Sequence, residues 1–269
     1  AGKEAFESLN VPFFADVKKP LSSHPAARLF SLVARLKKQR FAPDVFIETI
    51  KNPLCFPESG AVVEKYVLSH AVSRKDILKP FTDEEAEKAR RLVVDKVNAI
   101  PQKATIGVFV KEIIDLYVDF CAKERKEKLK DDLDKRGEDY LKSYCETGYE
   151  KFFSVLNEAS GASGVEEISF SEFADIVSAG VEGAEVAVLP QYSDGVFMGD
   201  FSSSRQRTSK GLFVLGATQD IPSSKADLSL LSDRELLKMD GYKCVVEPKI
   251  KVVNKREKEN VTTTLMSFT

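Results

Sequence analysis

The residues best suited to chemistry lie in a short basic loop, Phe201–Lys210. The loop holds Arg205, Arg207 and Lys210 among serines and a threonine, and it contains no acidic residue. Cationic side chains neutralise phosphate charge, and hydroxyl groups hydrogen-bond phosphate oxygens. This composition predicts contacts with a nucleic-acid backbone. The alternative is an ordinary surface loop, which short polar segments also form.

A second basic feature is the segment Val17–Pro43, which contains no acidic residue. Its cationic residues are Lys18, Lys19, Arg28, Arg35, Lys37, Lys38 and Arg40. A basic helix face of this kind is suited to line a nucleic-acid groove. Cations in a last turn also stabilise a helix C-terminus, which accounts equally well for the cluster at Arg35–Arg40. Both interpretations stay open.

Motifs for catalysis by this chain are missing. The sequence has no GxxxxGK[ST], GxGxxG or GxSxG pattern, and its two histidines leave little room for a nucleophilic triad. Its four cysteines are far apart and form no CxxC pair, which argues against a structural zinc site. No spacing of carboxylates marks an acid/base pair. We therefore predict no catalytic residue, no cofactor and no metal on this chain.

A candidate strand follows the basic loop directly. Gly211–Gly216 (GLFVLG) is a short apolar run of β-favouring residues between two glycines, the pattern of a strand buried on both faces of a parallel sheet. Ligands bind outside the carboxyl ends of such strands. The following loop, Ala217–Lys225, is therefore a second expected binding segment.

The order of the predicted elements indicates an α/β fold with a helical insertion. Strand-like segments are Val11–Ala15, Glu185–Leu189, Gly195–Met198, Gly211–Gly216 and Lys243–Val246. Helical patterns are His24–Arg40, Pro43–Ile50, Ala61–Val72, Asp83–Ile100, Thr105–Ala159, Phe170–Ala179 and Ser232–Met239. In the simplest topology, Val11–Ala15 joins the sheet formed by the later strands. Ile250–Thr269 is polar, and no helix or strand is predicted there.

Local signals refine the predicted helices. Three pairs match the capping-box pattern, namely Thr82 with Glu85, Ser169 with Glu172 and Ser232 with Glu235. The run Lys123–Lys142 mixes charges of both signs, which predicts a solvated helix face with i,i+4 ion pairs, and Gly137 predicts a bend.

Composition limits the remaining options. The 269 residues are 43% hydrophobic with a formal net charge of −2, so a sizeable core is expected and any basic surface must be local. No apolar run reaches the length of a membrane span, and no signal-peptide pattern is present at the start. We expect a cytoplasmic protein with reduced cysteines and no membrane partner.

Together the segments resemble the B subunit of the AddAB-type (RexAB-type) ATP-dependent helicase–deoxyribonuclease, a bacterial relative of RecBCD. The segments that carry the resemblance are VPFFADVKKPLSSHPAARLF, VEKYVLSHAV, ISFSEFADIVSAGVEGAEVAVLP, DGVFMGDFSSSRQRTSKGLFVLGATQDIP and LLSDRELLKM. The similarity of each segment is modest by itself. The segments together span nearly the whole chain, and their order and spacing make the resemblance specific.

The resemblance implies a partial RecA-like (P-loop-NTPase-like) parallel-sheet domain, called 2A, with an inserted helical domain, called 2B. Residues 1–19 and 188–269 would form 2A, and residues 20–187 would form 2B. It also implies a P-loop domain upstream and a nuclease domain downstream, so that the parent protein uses ATP, Mg²⁺ and an iron–sulfur cluster. None of the cysteines in this chain is expected to be a cluster ligand. The implied partners are DNA, as single strands or duplex ends, and the A-type helicase–nuclease subunit.

In related helicases the strand at Leu212–Leu215 and its flanking loops contact single-stranded DNA. Combined with the basic loop, the resemblance predicts a DNA-binding set: Gly199, Asp200, Arg205, Arg207, Lys210, Thr218, Gln219 and Asp220. Two departures stand out. The family's DRSR is SSSR here, and the loop after the strand loses a glycine, which predicts a different turn.

Two functions follow as hypotheses. The first is a DNA-binding, helicase-like segment that is not catalytic by itself, within a subunit acting in double-strand-break repair and recombination. The second is a protein–protein scaffold that packs on the partner helicase subunit and has little DNA contact of its own.

Overall fold

The computed structural model describes residues 5, 6, 8, 9, 11–15, 18–161, 166–187, 195–201, 210–218, 221–223, 232–240 and 249–267. The chain forms two compact units, one of residues 18–191 and the other of residues 1–17 with 192–269. The RecA-like and 2B-like assignments of these regions stay predictions.

The structure is mostly helical. Its strands are β1 (Phe13–Ala15), β2 (Lys19–Pro20), β3 (Lys103–Ala104), β4 (Ile168–Ser169), β5 (Glu185–Val186) and β6 (Val196–Met198). Its helices are α1 (Pro25–Lys38), α2 (Pro43–Lys51), α3 (Gly60–Ser69), α4 (Arg74–Ile77), α5 (Glu84–Ala99), α6 (Ile106–Asp119), α7 (Ala122–Lys135), α8 (Asp139–Gly161), α9 (Phe170–Glu182), α10 (Asp233–Asp240) and α11 (Ile250–Leu265). None of these described helices is both long and apolar enough to cross a membrane.

Helix α1 lies at the centre of the larger unit. Its apolar spacing buries Leu29, Phe30, Val33 and Leu36, as the sequence predicts, and Pro25 occupies the first turn, where a missing N–H has no cost. The ring of Phe30 packs edge-on against Phe173 of α9, with the ring centroids 6.0 Å apart. Burying each such side chain contributes roughly 1.5–3 kcal/mol, so this helix organises the core.

A buried imidazole caps α1. The N–H of Ala26 donates to Nδ1 of His24 at 3.1 Å, so Nε2 carries the proton and donates to the carbonyl of Cys145 on α8 at 3.0 Å. Gly148, one turn further along α8, makes room for the ring, because a Cβ there would lie 2.9 Å from Cγ of His24. Burial lowers the pKa of His24 to about 4, which outweighs the opposing effect of the hydrogen bond to Cys145.

Two more side chains donate to carbonyl oxygens of the same turn, Tyr117 to Ala26 at 2.6 Å and Asn52 to Pro25 at 3.1 Å, and Tyr144 donates to the carbonyl of Pro20 in β2, which precedes that turn, at 2.9 Å. The donors come from α6, from the end of α2 and from α8. Hydrogen bonds are directional, so they fix the start of α1 relative to these helices.

One of the three predicted capping boxes is confirmed in full, the reciprocal box of Ser169 and Glu172 at the start of α9. Before α10 one half of the predicted box is present, because the backbone N–H of Ser232 donates to the carboxylate of Glu235. The box predicted at Thr82 is wrong. Asp83 caps α5 instead, because its carboxylate accepts from the N–H of Ala86 at 2.8 Å and satisfies that terminus.

The stretch Thr105–Ala159 forms three helices, α6, α7 and α8. Gly137 has a φ of +69° and breaks the chain between α7 and α8, which confirms the predicted bend. A second break at Cys121, with a φ of +51°, is not predicted by the sequence. No glycine or proline marks that position, so local sequence carries no signal for it.

The predicted solvated charge run is confirmed for most of α7 but is wrong for Lys126, which is only 7% exposed. Its ammonium lies 5.3 Å from the ring centroid of Tyr149, and its aliphatic stem is buried. The ion pairs also differ from the predicted i,i+4 spacing. Lys130 pairs with Glu127 at i,i+3 and with Glu146 on α8 at 2.8 Å.

In the smaller unit, β1 and β6 form a parallel pair in which Phe14 lies opposite Phe197. This pairing confirms that the early strand joins the later block, with the helical unit between the two in sequence. Strand β5 was predicted among the later strands, but it pairs with β2 inside the larger unit. The predicted strand Lys243–Val246 lies outside the described residues.

The predicted strand at Gly211–Gly216 is wrong. Residues 210–218 contain no strand, and Phe213 and Leu215 are 90% and 84% exposed. An apolar run identifies residues that favour a buried strand, but a strand also needs a neighbour for its backbone hydrogen bonds. Among the described residues of this unit, only β1 and β6 pair.

Buried His24 predicts a pH-dependent stability. The unfolded imidazole takes up a proton near pH 6.5, whereas the folded one does so only near its pKa of about 4. The contribution of neutral His24 to the free energy of unfolding is therefore fully present above about pH 6.5. It is lost as the pH falls towards about 4, and the free energy of unfolding decreases by about 3 kcal/mol in total. Urea unfolding between about pH 7.5 and pH 4.5 measures this change.

The variants His24→Asn and His70→Gln separate this effect from general acid unfolding. Asparagine keeps an N-cap acceptor but does not titrate, so His24→Asn loses most of the slope between about pH 6.5 and pH 4.5. His70 is exposed, and its replacement should leave the slope unchanged. An equal slope in all three proteins would contradict the role assigned to His24.

Candidate nucleic-acid interface

Half of the predicted DNA-binding set falls within the described residues. Gly199 and Asp200 follow β6 directly and are exposed. Because β6 runs parallel to β1, these two residues lie at the carboxyl end of a parallel strand, where ligands of open α/β sheets bind. Lys210 and Thr218 are exposed at the two ends of segment 210–218. The remaining residues, Arg205, Arg207, Gln219 and Asp220, lie outside the described part of the chain.

A binding loop after Gly211–Gly216 no longer follows from strand position, because that segment is not a strand here. Two observations still support a binding site in this region. They are the carboxyl end of β6 and the acid-free composition of Phe201–Lys210. Gly216 has a φ of +70°, so the chain turns there in a conformation that favours glycine.

The second basic feature is largely structural. The Lys18 ammonium pairs with Glu185 at 3.3 Å, and that of Lys19 lies 5.0 Å from the ring centroid of Tyr144. Lys37 donates to the carbonyls of Val97, at 3.3 Å, and Ile100. Those two carbonyls belong to the end of α5, so Lys37 caps a neighbouring helix.

Helix α1 leaves one basic line exposed, formed by Arg28, Ser31, Arg35 and Lys38. The spacing i, i+3, i+7, i+10 aligns these residues on one face. Arg28 and Arg35 line a cleft of about 160 Å³, but Glu48 and Glu182 line it too, and Arg35 pairs with Glu48 at 3.3 Å. The charges in the cleft balance, so it offers little attraction to phosphate.

Sequence reasoning missed α11. Its buried positions include Val261 and Thr264, and the half-buried Val253 precedes them at helical spacing. This helical spacing of apolar residues was the available signal, but it is weak because most of the positions between them are threonines or charged residues. The helix presents several exposed lysines, which were not among the predicted site residues.

No group of three or more His, Cys, Asp or Glu side chains that could hold a metal ion occurs among the described residues. Cys55 and Cys145 are buried, and burial raises the pKa of the Cys145 thiol to about 11, so it stays protonated at neutral pH. The residues described therefore do not fit an iron–sulfur cluster. The absence of a cofactor on this chain stays a prediction.

The role of Lys37 is testable against its neighbour Lys38. Burial lowers the pKa of Lys37, and its ammonium serves two carbonyls, whereas Lys38 is exposed. We expect Lys37→Met to reduce the free energy of unfolding by about 1–2 kcal/mol, and Lys38→Met to change it by less than about 0.5 kcal/mol. Urea unfolding measures both. Equal effects would show that Lys37 is not a cap.

No family model matches the chain. It is 25% identical to the B subunit of the ATP-dependent helicase/deoxyribonuclease from Bacillus licheniformis over 89% of the chain and 24% of that protein. The proteins of the same name from Alkaliphilus oremlandii and Lactococcus lactis are each 24% identical over 88% of the chain and 23% of their own length.

The chain spans about a quarter of the length of these curated relatives. The matches cover nearly all of its own length, through both structural units. They confirm the resemblance found in the sequence motifs: this chain is similar to the B subunits of ATP-dependent helicase/deoxyribonucleases.

Proposed function

We propose that this chain is a DNA-contacting, helicase-like segment of a B-type subunit in an ATP-dependent helicase/deoxyribonuclease. The complex would act in the cytoplasm, in double-strand-break repair and recombination. The segment would hold DNA through the residues after β6 and the loops of 199–220, and it would not be catalytic by itself. Its region 1–19 with 188–269 would be part of a RecA-like domain, and region 20–187 a 2B-like insertion.

The observation that carries the proposal is the similarity to these B subunits along 86–89% of the chain in eight proteins. A match of this extent must run through most of the helical block and into the smaller unit. It therefore favours a shared architecture over a shared motif alone.

The geometry adds support for contact with DNA. Gly199 and Asp200 lie at the carboxyl end of a parallel strand, and Lys210 is exposed beyond them in sequence. An exposed cation is suited to a phosphate, and a glycine permits close approach of the backbone. The absence of a P-loop motif from the sequence supports a role in holding DNA rather than in ATP turnover.

A scaffold function is the second candidate, and one feature of the helical unit favours it. A groove of about 470 Å³ runs between α2 and α3, and Ile47, Val67, Leu68 and Val72 line it. Leu68 is 69% exposed in this groove. Exposed apolar surface of this kind is typical of an interface, here with an A-type partner subunit.

Fluorescence anisotropy of a labelled single-stranded oligonucleotide tests the proposal. We expect the chain to bind, with an affinity that falls steeply between about 50 and 200 mM salt, because bound phosphates release counterions. The triple variant Arg205→Ala, Arg207→Ala, Lys210→Ala should bind more weakly, with a log–log salt slope reduced by about 2.

A charge-matched control removes exposed cations from the helical unit, as Lys65→Ala, Arg74→Ala and Arg136→Ala. It should bind like the unmodified chain. Absence of binding at low salt would contradict DNA contact by this segment and leave the scaffold function. Equal losses in both triple variants would indicate nonspecific attraction and contradict the loop assignment.

A further inference from the structure

One side of α11 is a strongly basic surface outside the predicted DNA loop. Lys251, Lys255 and Lys258, which we name the lysine stripe, are all exposed, and Thr262 continues their line. Their spacing is i, i+4, i+7 and i+11, so the four residues share one helix face. At roughly 100° per residue, the three lysines fall within an arc of about 60°.

The opposite face of α11 is buried and holds the helix in place. Asn260, Val261 and Thr264 are buried. At the other end of the helix, the Asp233 carboxylate accepts from the N–H groups of Ile250 at 2.6 Å and Lys251 at 3.2 Å. The carboxylate stabilises the helix N-terminus, and the stripe is presented by an anchored helix.

The lysine stripe differs from the charged helix α7 of the same chain. There, Lys126 and Lys130 each have a glutamate partner within 3.3 Å. On the stripe, Lys255 pairs with Glu259 at 3.7 Å. Among the described residues, Lys251 and Lys258 make no ion pair. Like charges at i,i+4, as at Lys251 and Lys255, destabilise a helix. An anionic ligand bound to the stripe would remove this repulsion.

The stripe also lies in the same unit as the predicted DNA loop. The hydroxyl of Thr264, near the end of α11, donates to the carbonyl of Phe201 at 3.3 Å. Phe201 is the first residue of the acid-free segment Phe201–Lys210. The helix is therefore anchored where that loop begins.

We propose that the lysine stripe is a second phosphate-contacting surface, which extends the DNA contact of the loop along the strand. This inference rests on the proposed function. The stripe is about 10 Å long at 1.5 Å per residue, which matches the rise of about three nucleotides at 3.4 Å each. Lysine ammonium groups suit this task because they bind phosphate as point charges without a fixed orientation.

The test is oligonucleotide binding by the full chain with Lys251→Gln, Lys255→Gln and Lys258→Gln combined. We expect the log–log salt slope to fall by about 2 and the affinity at about 0.1 M salt to fall about 100-fold, because three counterion-releasing contacts are lost. The set Lys251→Arg, Lys255→Arg and Lys258→Arg keeps the charge and should restore binding. Circular dichroism checks that each variant folds.

The matched control is Lys65→Gln, Lys88→Gln and Lys111→Gln, three exposed lysines of the helical unit. It should bind like the unmodified chain. If that chain binds the oligonucleotide and the stripe variant keeps its affinity and slope, the inference is wrong while the proposed function stands. If the unmodified chain binds no oligonucleotide at low salt, the proposed function fails and the inference with it. Stripe-dependent binding to phosphatidylserine vesicles without DNA binding would also overturn the inference.

Discussion

The larger unit depends on the hydrogen bonds that surround the start of α1. His24 links the first turn of α1 to α8, and Tyr117 and Asn52 bring donors from two other helices to the same turn. An unpaired carbonyl in such an interior costs about 1–3 kcal/mol, so each donor is needed once the others are in place. Apolar packing alone would tolerate sliding between helices, whereas these bonds specify one arrangement.

The residues that stabilise the larger unit are different from the residues proposed to bind DNA. The cations beside α1 serve mainly to cap or pair inside the helical unit, as Lys37 does for the end of α5. In contrast, the residues proposed for DNA contact belong to the smaller unit, where Lys210 and the lysine stripe are exposed. Binding residues can therefore change in that unit without disturbing the core around α1.

Sequence reasoning predicted features whose signals are local or periodic. The apolar spacing of α1 and the capping box at Ser169 were predicted, and so was the strand at Gly195–Met198, which the structure has at Val196–Met198. It failed where the outcome depends on a distant neighbour. The run Gly211–Gly216 has strand composition, but composition does not supply a paired strand. The break at Cys121 and the buried ammonium of Lys126 likewise depend on packing against other helices.

For the candidate site, the basic loop could be found from its composition. The lysine stripe could not, because it is recognised only once the buried face of α11 is known.

We propose that DNA contact belongs to the smaller unit. Photocrosslinking of an iododeoxyuridine-substituted single strand to the full chain, with the crosslinked peptides mapped by mass spectrometry, tests it most directly. We expect crosslinked peptides from residues 195–218 and from α11, and their loss at high salt. Crosslinks confined to residues 18–191, above all along the exposed line of α1, would contradict this claim.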